Sequence, residues 1–222
     1  CMGKNGVELD HVLCNSFGFG GNDTALLFSR NATGSAAPVN EVPDYRIRVA
    51  AQVEISDESQ LKAISQYVKP LEARRMGKIM KSSLLASLQA LQQAGISVPD
   101  AVITGTAYGC LENSEKLLRQ MTEEGEAMLK PTLFMQSTHN TIGSNIAIRL
   151  GCHGYNVTYT QGADSLQWAM RDARMLLKSG QCKTVLVGCH DETTPLFASL
   201  LRGHGIESQP PVKSIAILLT TC

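Results

Sequence analysis

Short strand-like runs of apolar residues alternate with amphipathic, helix-like segments along most of this chain, and that alternation restricts the fold more than any other feature. The strand-like runs cover residues 45–55, 101–104, 157–160, 184–187 and 214–220. The helix-like segments cover residues 72–94, 113–124, 140–150 and 165–178. This order is typical of an α/β fold in which a mostly parallel sheet carries helices on both faces.

One helix-like segment, residues 165–178, places its apolar residues on a single helical face: Leu166, Ala169, Met170, Ala173 and Leu177. We predict that this face is buried and that the helix begins at Ser165. A turn at residues 161–164 would precede it, after a central strand that ends at Thr160. Glycine follows each helix-like segment, and glycine ends helices because it adopts a left-handed conformation at low cost. These glycines are Gly95, Gly125, Gly151 and Gly180.

The amino-terminal segment has a different character. Residues 12–28 hold two apolar runs around the glycine-rich stretch Phe17-Gly-Phe-Gly-Gly21, which predicts a strand, a tight loop and a second strand. Residues 31–44 are rich in Ala, Ser, Gly and Pro and are typical of a linker.

Composition excludes several classes of function. The 20 basic residues balance 20 acidic residues, so we expect no nucleic-acid partner. Because no run of 18 apolar residues occurs, we expect no membrane span, and because no secretory-type start occurs, we expect a cytoplasmic location. The 7 cysteines are scattered and form no CxxC pair, which argues against a disulfide framework and a structural metal site. We expect no cofactor.

Two stretches resemble the β-ketoacyl-acyl-carrier-protein synthases, a thiolase-like family. Residues 13–23, around Phe17-Gly-Phe-Gly-Gly21, are similar to the closing motif of that family. Residues 45–222 resemble its amino-terminal half, with matching stretches at residues 72–76, 103–106, 134–140 and 154–165. Within the family, this part is most similar to the short ketosynthase-like chain-length factors.

The resemblance implies a division of the chain and a fold. Residues 1–34 would be a hairpin segment like the carboxy terminus of a ketosynthase, and residues 35–44 a linker. Residues 45–222 would be a ketosynthase-like amino-terminal domain, a thiolase-like half with a mostly parallel sheet and helices on both faces.

The resemblance also assigns the catalytic turn. Where the family has Ala-Cys-Ser, this chain has Ala163-Asp164-Ser165, so the resemblance implies Asp164 at the position of the nucleophile. A gapped alignment would place Ala163 or Gly162 there instead, and none of the three residues is a thiol. Covalent acyl transfer requires an activated nucleophile, so we expect no catalytic residue at this turn. The simplest structural role for Asp164 is to cap the following helix.

Other residues that the family uses are absent or displaced. The family's two catalytic histidines lie in His-Gly-Thr-Gly and Lys-x-x-Gly-His contexts, and we expect the histidines here at loops and helix ends: His11, His139, His153, His190 and His204. The resemblance implies an acyl-channel gate at Phe17, Gly18, Phe19, Gly20 and Gly21, and a tight hairpin loop is the structural alternative.

These expectations lead to a non-catalytic, chain-length-factor-like subunit that supports a true ketosynthase in fatty-acid, polyketide or aryl-polyene synthesis. Its partners would be a ketosynthase or a second copy, and an acyl carrier protein. It would dimerise through the strand entering Thr160 and the helix at residues 140–150, with Ile146 at the interface. One alternative is an acyltransferase or thioesterase that uses Ser165 or Cys189 on acyl thioesters. Another is an inactive, truncated synthase.

Overall fold

The computed structural model describes residues 8–17, 23–30, 46–126, 129, 131–207 and 210–221. Strands β1 (His11–Phe17) and β2 (Asp23–Ser29) form an antiparallel hairpin in which Leu13 pairs with Leu27. The predicted strand-loop-strand is confirmed in its two strands, and its loop lies outside the described residues. Within the described part of the chain, no strand pairing joins this hairpin to the main sheet.

The main sheet has five strands in the order β3-β7-β6-β4-β5. Their bounds are Ile47–Ile55 for β3, Ala101–Gly105 for β4, Asn156–Tyr159 for β5, Thr184–Glu192 for β6 and Val212–Thr221 for β7. Strand β4 pairs in parallel with β5 and β6, whereas β7 runs antiparallel to β6 and β3. The α/β class is confirmed. The sheet is mixed, with four strands in one direction and β7 reversed.

Seven α-helices surround this sheet within the described residues. They are α1 (Pro70–Arg75), α2 (Lys78–Ala94), α3 (Leu111–Glu124), α4 (Pro131–Met135), α5 (Thr141–Leu150), α6 (Ser165–Lys178) and α7 (Pro195–Gly203). Helices α2 and α5 bury one face of the sheet, with Leu85, Val102 and Leu186 in that core. Helix α6 covers the other face, with Ala173, Leu177 and Val187 in its core. Helices therefore lie on both faces, as expected.

Two expectations about helices need correction. The predicted helix at residues 72–94 is broken, because Met76 has extended backbone (ψ 134°) and separates α1 from α2. Helix α7 was not predicted, although its start carries recognisable signals. Thr194 accepts a hydrogen bond from the backbone N–H of Phe197, and Pro195 occupies the first turn.

The strand before the predicted turn lies at the edge of the sheet, not at its centre. The position of β5 follows from tertiary pairing: β4 inserts between β5 and β6 although it precedes both in the chain. The expected interface position Ile146 is also wrong, because this side chain is 1% exposed and belongs to the core. Its neighbour Ile148 on α5 is 76% exposed.

Among the described residues, no helix combines the length and the apolar character that crossing a bilayer requires.

Candidate functional site

The predicted turn lies between β5 and α6, at the carboxyl ends of the parallel strands. A single 3-10 turn, Gly162–Asp164, joins the two elements, and Ser165 begins α6 as predicted. Gly162 has φ +59°, a left-handed conformation that favours glycine. The apolar face of α6 is buried at Ala169, Ala173 and Leu177, which are inaccessible to solvent, whereas Leu166 and Met170 of the same predicted face are only half-buried. In α/β sheets, ligands bind at this end of the strands.

Ser165 is fixed at the start of α6 and has no exposed surface. Its Oγ donates to the carbonyl oxygens of Gly162, at 2.7 Å, and Thr106, at 3.0 Å. A Cβ added to Gly105, the last residue of β4, would stand 2.8 Å from the carbonyl group of Ser165. The serine hydroxyl therefore ties α6 to β4 and has no base beside it, which disfavours Ser165 as a nucleophile.

Asp164, the residue expected at the nucleophile position, is exposed to solvent. It occupies the N-cap position of α6, but its side chain makes no capping hydrogen bond because its backbone is helical (φ −87°, ψ −1°). The expectation that Asp164 caps the helix is therefore wrong. Its assignment to the family's nucleophile position stays a prediction.

A half-buried carboxylate organises the loop after β4. One oxygen of Asp191, at the end of β6, accepts three hydrogen bonds: from the Thr106 hydroxyl at 2.7 Å and from the backbone N–H groups of Ala107 at 2.8 Å and Tyr108 at 2.9 Å. Burial raises the pKa of Asp191, and these three donors oppose that shift. The hydrogen-bond donors of Thr106, Ala107 and Tyr108, at the end of the sheet, are thus already paired with the Asp191 carboxylate.

A cavity of about 290 Å³ opens beside Asp191, between the turn and the ends of β6 and β7. Cys189 and Lys213 contribute to its wall. Burial raises the pKa of the Cys189 thiol to about 11, and the neighbouring Asp191 acts in the same direction. The thiolate is the reactive form of cysteine, so Cys189 is a poor nucleophile near neutral pH.

Of the five histidines, His139 approaches this cavity: its side chain is exposed, and it acts to lower the pKa of Asp191. His153 and His204 are exposed, and His11 lies on the hairpin, where its Nδ1 is 2.9 Å from the Ser29 hydroxyl. Two histidines depart from the expected loop and helix-end positions: His11 begins β1, and His190 lies within β6 and has no exposed surface. Within the described residues, neither of its ring nitrogens has a hydrogen-bond partner.

No group of three or more His, Cys, Asp or Glu residues in the described part of the chain is arranged to hold a metal ion.

The expected gate is represented only by Phe17, the last residue of β1. The other four residues of the gate lie outside the described part, and the gate role stays a prediction.

Sequence reasoning missed an apolar groove between α3 and α7. It encloses about 400 Å³, and its apolar wall is formed by Leu111, Leu118, Leu196, Phe197 and Leu200. Leu118 is 61% exposed and Leu200 is 55% exposed. The spacings 111/118 and 196/200 are helical, and they are the signal that could have identified this surface in the sequence.

A polar pocket of about 370 Å³ adjoins this groove and shares Glu115, Arg119 and Thr194 with it. Glu192, also in its wall, is 4% exposed and accepts a hydrogen bond from the backbone N–H of Glu112 at 2.8 Å. Burial raises the pKa of Glu192. Glu192 thus fastens the start of α3 to the sheet, because the first N–H groups of a helix lack partners within the helix.

Comparisons with known proteins agree with this architecture. The sequence model of the β-ketoacyl synthase amino-terminal domain matches residues 25–214. A 3-oxoacyl-[acyl-carrier-protein] synthase 2 from Vibrio cholerae is 27% identical over 141 residues, which are 59% of this chain and 33% of that protein. The chain thus matches about one third of the length of this curated relative.

Two solved structures share the fold. One is a ketosynthase, ApeO, in complex with its chain length factor, ApeC, from Xenorhabdus doucetiae. The TM-score is 0.63 at 18% identity, over 79% of this chain and 79% of that chain. The other is the ishigamide ketosynthase/chain length factor, with a TM-score of 0.61 at 20% identity, over 75% of this chain and 53% of that chain. With its sequence match over residues 25–214, the chain belongs to the β-ketoacyl synthase family.

Proposed function

We propose that this protein is a non-catalytic, chain-length-factor-like subunit that supports a separate ketosynthase in fatty-acid, polyketide or aryl-polyene synthesis. The observation that carries the proposal is the chemistry of the turn before α6. The turn carries Asp164 and no cysteine, the Ser165 hydroxyl is held by two hydrogen bonds, and the pKa of the Cys189 thiol is raised. None of these groups is an activated nucleophile, which covalent acyl transfer requires.

A comparison of lengths supports the same proposal. The match to the Xenorhabdus complex covers equal shares of both chains, 79% each, so the matched chain is about as long as this one. That structure contains a ketosynthase with its chain length factor. A short ketosynthase-like chain therefore has a precedent in a two-protein complex.

The proposed ketosynthase interface is the edge strand β5 together with α5. Strand β5 pairs only on its β4 side within the described chain, and a free strand edge recruits partners. Ile148 on α5 is 76% exposed and Tyr155, just before β5, is 42% exposed. Ile148→Asp is expected to weaken ketosynthase binding at least tenfold without loss of helix content.

We propose that the α3/α7 groove forms part of the wall along which the growing acyl chain lies. The groove is apolar, and the Leu200 side chain is exposed in it. A larger side chain at position 200 would therefore shorten the space available to the acyl chain. No observation at the turn supports the alternative function, independent acyl transfer or thioester hydrolysis.

The test is reconstitution of this protein with a ketosynthase, an acyl carrier protein and malonyl and acyl thioesters, with product lengths measured by mass spectrometry. The complex is expected to make longer products than the ketosynthase alone. Leu200→Trp is expected to shift the products to shorter chains, whereas Leu71→Trp, on the exposed face of α1, should not. Peptide mapping after incubation with acyl thioester should find residues 157–170 unmodified. Thioester turnover by the chain alone, or an acyl adduct on Asp164 or Ser165, would refute the proposal.

A further inference from the structure

The main sheet carries two helices on one face and a single helix on the other. On the first face, α2 packs over β3, β7 and β6, and α5 packs over β4 and β5. On the second face, α6 packs mainly over β4 and β6. Five strands spaced about 4.8 Å apart make a sheet about 19 Å wide, whereas one helix covers about 10 Å of it. Within the described residues, most of β7 and β3 therefore has no helix above it on the second face.

Apolar side chains are exposed in this gap beside α6. A groove of about 690 Å³ runs along the helix. Its apolar lining comprises Leu166, Met170, Met175 and Ile217. Met175 is 61% exposed. Val49 on β3 pairs with Leu219, which belongs to the core beneath α6, yet Val49 is 54% exposed. Adjoining apolar side chains that are left exposed in this way mark an interaction surface.

The charge of the groove is positive. Among the described residues, its charged lining consists of Arg171, Arg174 and Lys178, all of them exposed. In that part of the chain, none of the three forms an ion pair with a carboxylate. Their spacing of i, i+3 and i+7 places them in one row along α6. Glu54 shares this sheet face at the end of β3, where it pairs with Ile215, but it does not line the groove. The row of cations therefore remains available to an anionic partner.

The shape and the charge of the groove together select its occupant. The uncovered strip of the sheet is about one helix wide, and α6 beside it has 14 residues, a length of about 21 Å. An amphipathic helix fills such a groove with apolar residues spaced i, i+3, i+4 and i+7. The row of cations favours carboxylates on the side of that helix that faces α6, because complementary charge selects the partner. Residues 31–45 of this chain contain Pro38 and Pro43, and proline disrupts a helix interior, so this segment does not favour such a helix.

We propose that the groove beside α6 binds an acidic amphipathic helix of another protein. The helix lies over β7 and β3, with its apolar side on the groove floor and its carboxylates against the row of cations on α6. This surface is separate from β5 and α5, so the helix and a ketosynthase bind different parts of the chain. The inference therefore does not depend on the proposed function.

Binding of a designed peptide to the full chain tests the proposal. The probe is a fluorescein-labelled helical peptide of about 16 residues, with leucine on one face and glutamate on the other. Its matched control carries lysine in place of every glutamate. Fluorescence anisotropy in about 150 mM salt is expected to show saturable binding of the glutamate peptide, at least tenfold tighter than that of the lysine peptide. Equal affinities for the two peptides, or no saturable binding of the glutamate peptide, would overturn the proposal.

Two charge-reversed variants separate the groove from general electrostatic attraction. Arg174→Glu with Lys178→Glu reverses two exposed cations in the groove, and Arg74→Glu with Arg75→Glu reverses two exposed cations on α1. Both variants have the same net charge. The groove variant is expected to weaken binding of the glutamate peptide at least tenfold and the α1 variant less than threefold, with unchanged circular dichroism in both. Equal losses in the two variants would contradict binding at the groove.

The apolar floor and the class of partner are tested in the same way. Met175→Asp is expected to weaken binding of the glutamate peptide at least tenfold, whereas Leu71→Asp, at an exposed position of α1, should not. An anionic membrane surface is the other partner that offers apolar and negative groups together. Vesicles of phosphatidylcholine and phosphatidylglycerol in equal parts are expected to leave the chain in solution. Co-sedimentation with these vesicles that the groove variant abolishes would overturn the proposal in favour of a lipid surface.

Discussion

Lowering the pH from 7 to 5 is expected to remove about 2 kcal/mol of folding free energy through His190 alone. His190 lies on the same face of β6 as Leu186, under α2, and pairs across the sheet with Ser214. The Ser214 hydroxyl is 2.8 Å from that of Ser82 on α2. Both ring nitrogens of His190 lack partners, and burial lowers its pKa from the usual 6.5 to about 3.

The sign of the effect follows from where the proton binds. Above pH 6.5 the imidazole is neutral in both states and contributes no pH dependence. Between pH 6.5 and 3 the unfolded chain binds a proton at His190 that the folded chain excludes. The free energy of unfolding therefore decreases as the pH is lowered through this window. Each pH unit in this window costs about 1.4 kcal/mol, which gives about 2 kcal/mol at pH 5.

His190→Phe isolates this contribution, because phenylalanine keeps an aromatic ring at that position and does not titrate. Urea unfolding at several pH values between 5 and 8 measures the difference in unfolding free energy between the variant and the wild type. That difference should grow by about 2 kcal/mol, in favour of the variant, from pH 7 to pH 5. His153→Phe, at an exposed position, is the control for a His-to-Phe change as such. Parallel profiles for the wild type and His190→Phe would refute the reasoning.

Substitutions at Gly105, Leu177 and Asp191, with two control substitutions, test the packing of α6 and the polar contacts around the turn, each by urea unfolding. Gly105→Ala should destabilise the fold by about 1–3 kcal/mol, because its Cβ would stand 2.8 Å from the Ser165 backbone. Gly77→Ala, whose Cβ meets nothing within 4 Å, should cost less than about 1 kcal/mol, and equal losses would contradict the close approach. Leu177→Asp should cost about 4 kcal/mol, since the side chain has no exposed surface, and a cost below about 1 kcal/mol would place it outside the core. Asp191→Ala should cost about 2 kcal/mol by leaving three donors without an acceptor, and Asp191→Asn, which keeps an acceptor oxygen, should cost less.

Local signals in the sequence were sufficient for α5, α6 and the turn between β5 and α6, but not for the break at Met76 or for α7. The apolar face of residues 165–178 predicted a buried helix, and α6 begins at Ser165 as expected. Gly95 and Gly151 end α2 and α5 with φ +67° and +66°, the left-handed conformation that a helix-ending glycine adopts. These features depend on residues a few positions apart, and for that reason the sequence alone determined them.

Tertiary structure decided the arrangement of those elements and most of the site. Four features depend on residues that are distant in the chain. They are the edge position of β5, the reversal of β7, the hydrogen bonds from the loop after β4 to Asp191, and the unpartnered ring of His190. The α3/α7 groove likewise joins two helices that are separated in the chain by two sheet strands, β5 and β6. Periodicity reports which face of an element is apolar, but not which other element covers that face. Strand order and the desolvation of individual side chains are fixed only when the whole chain packs.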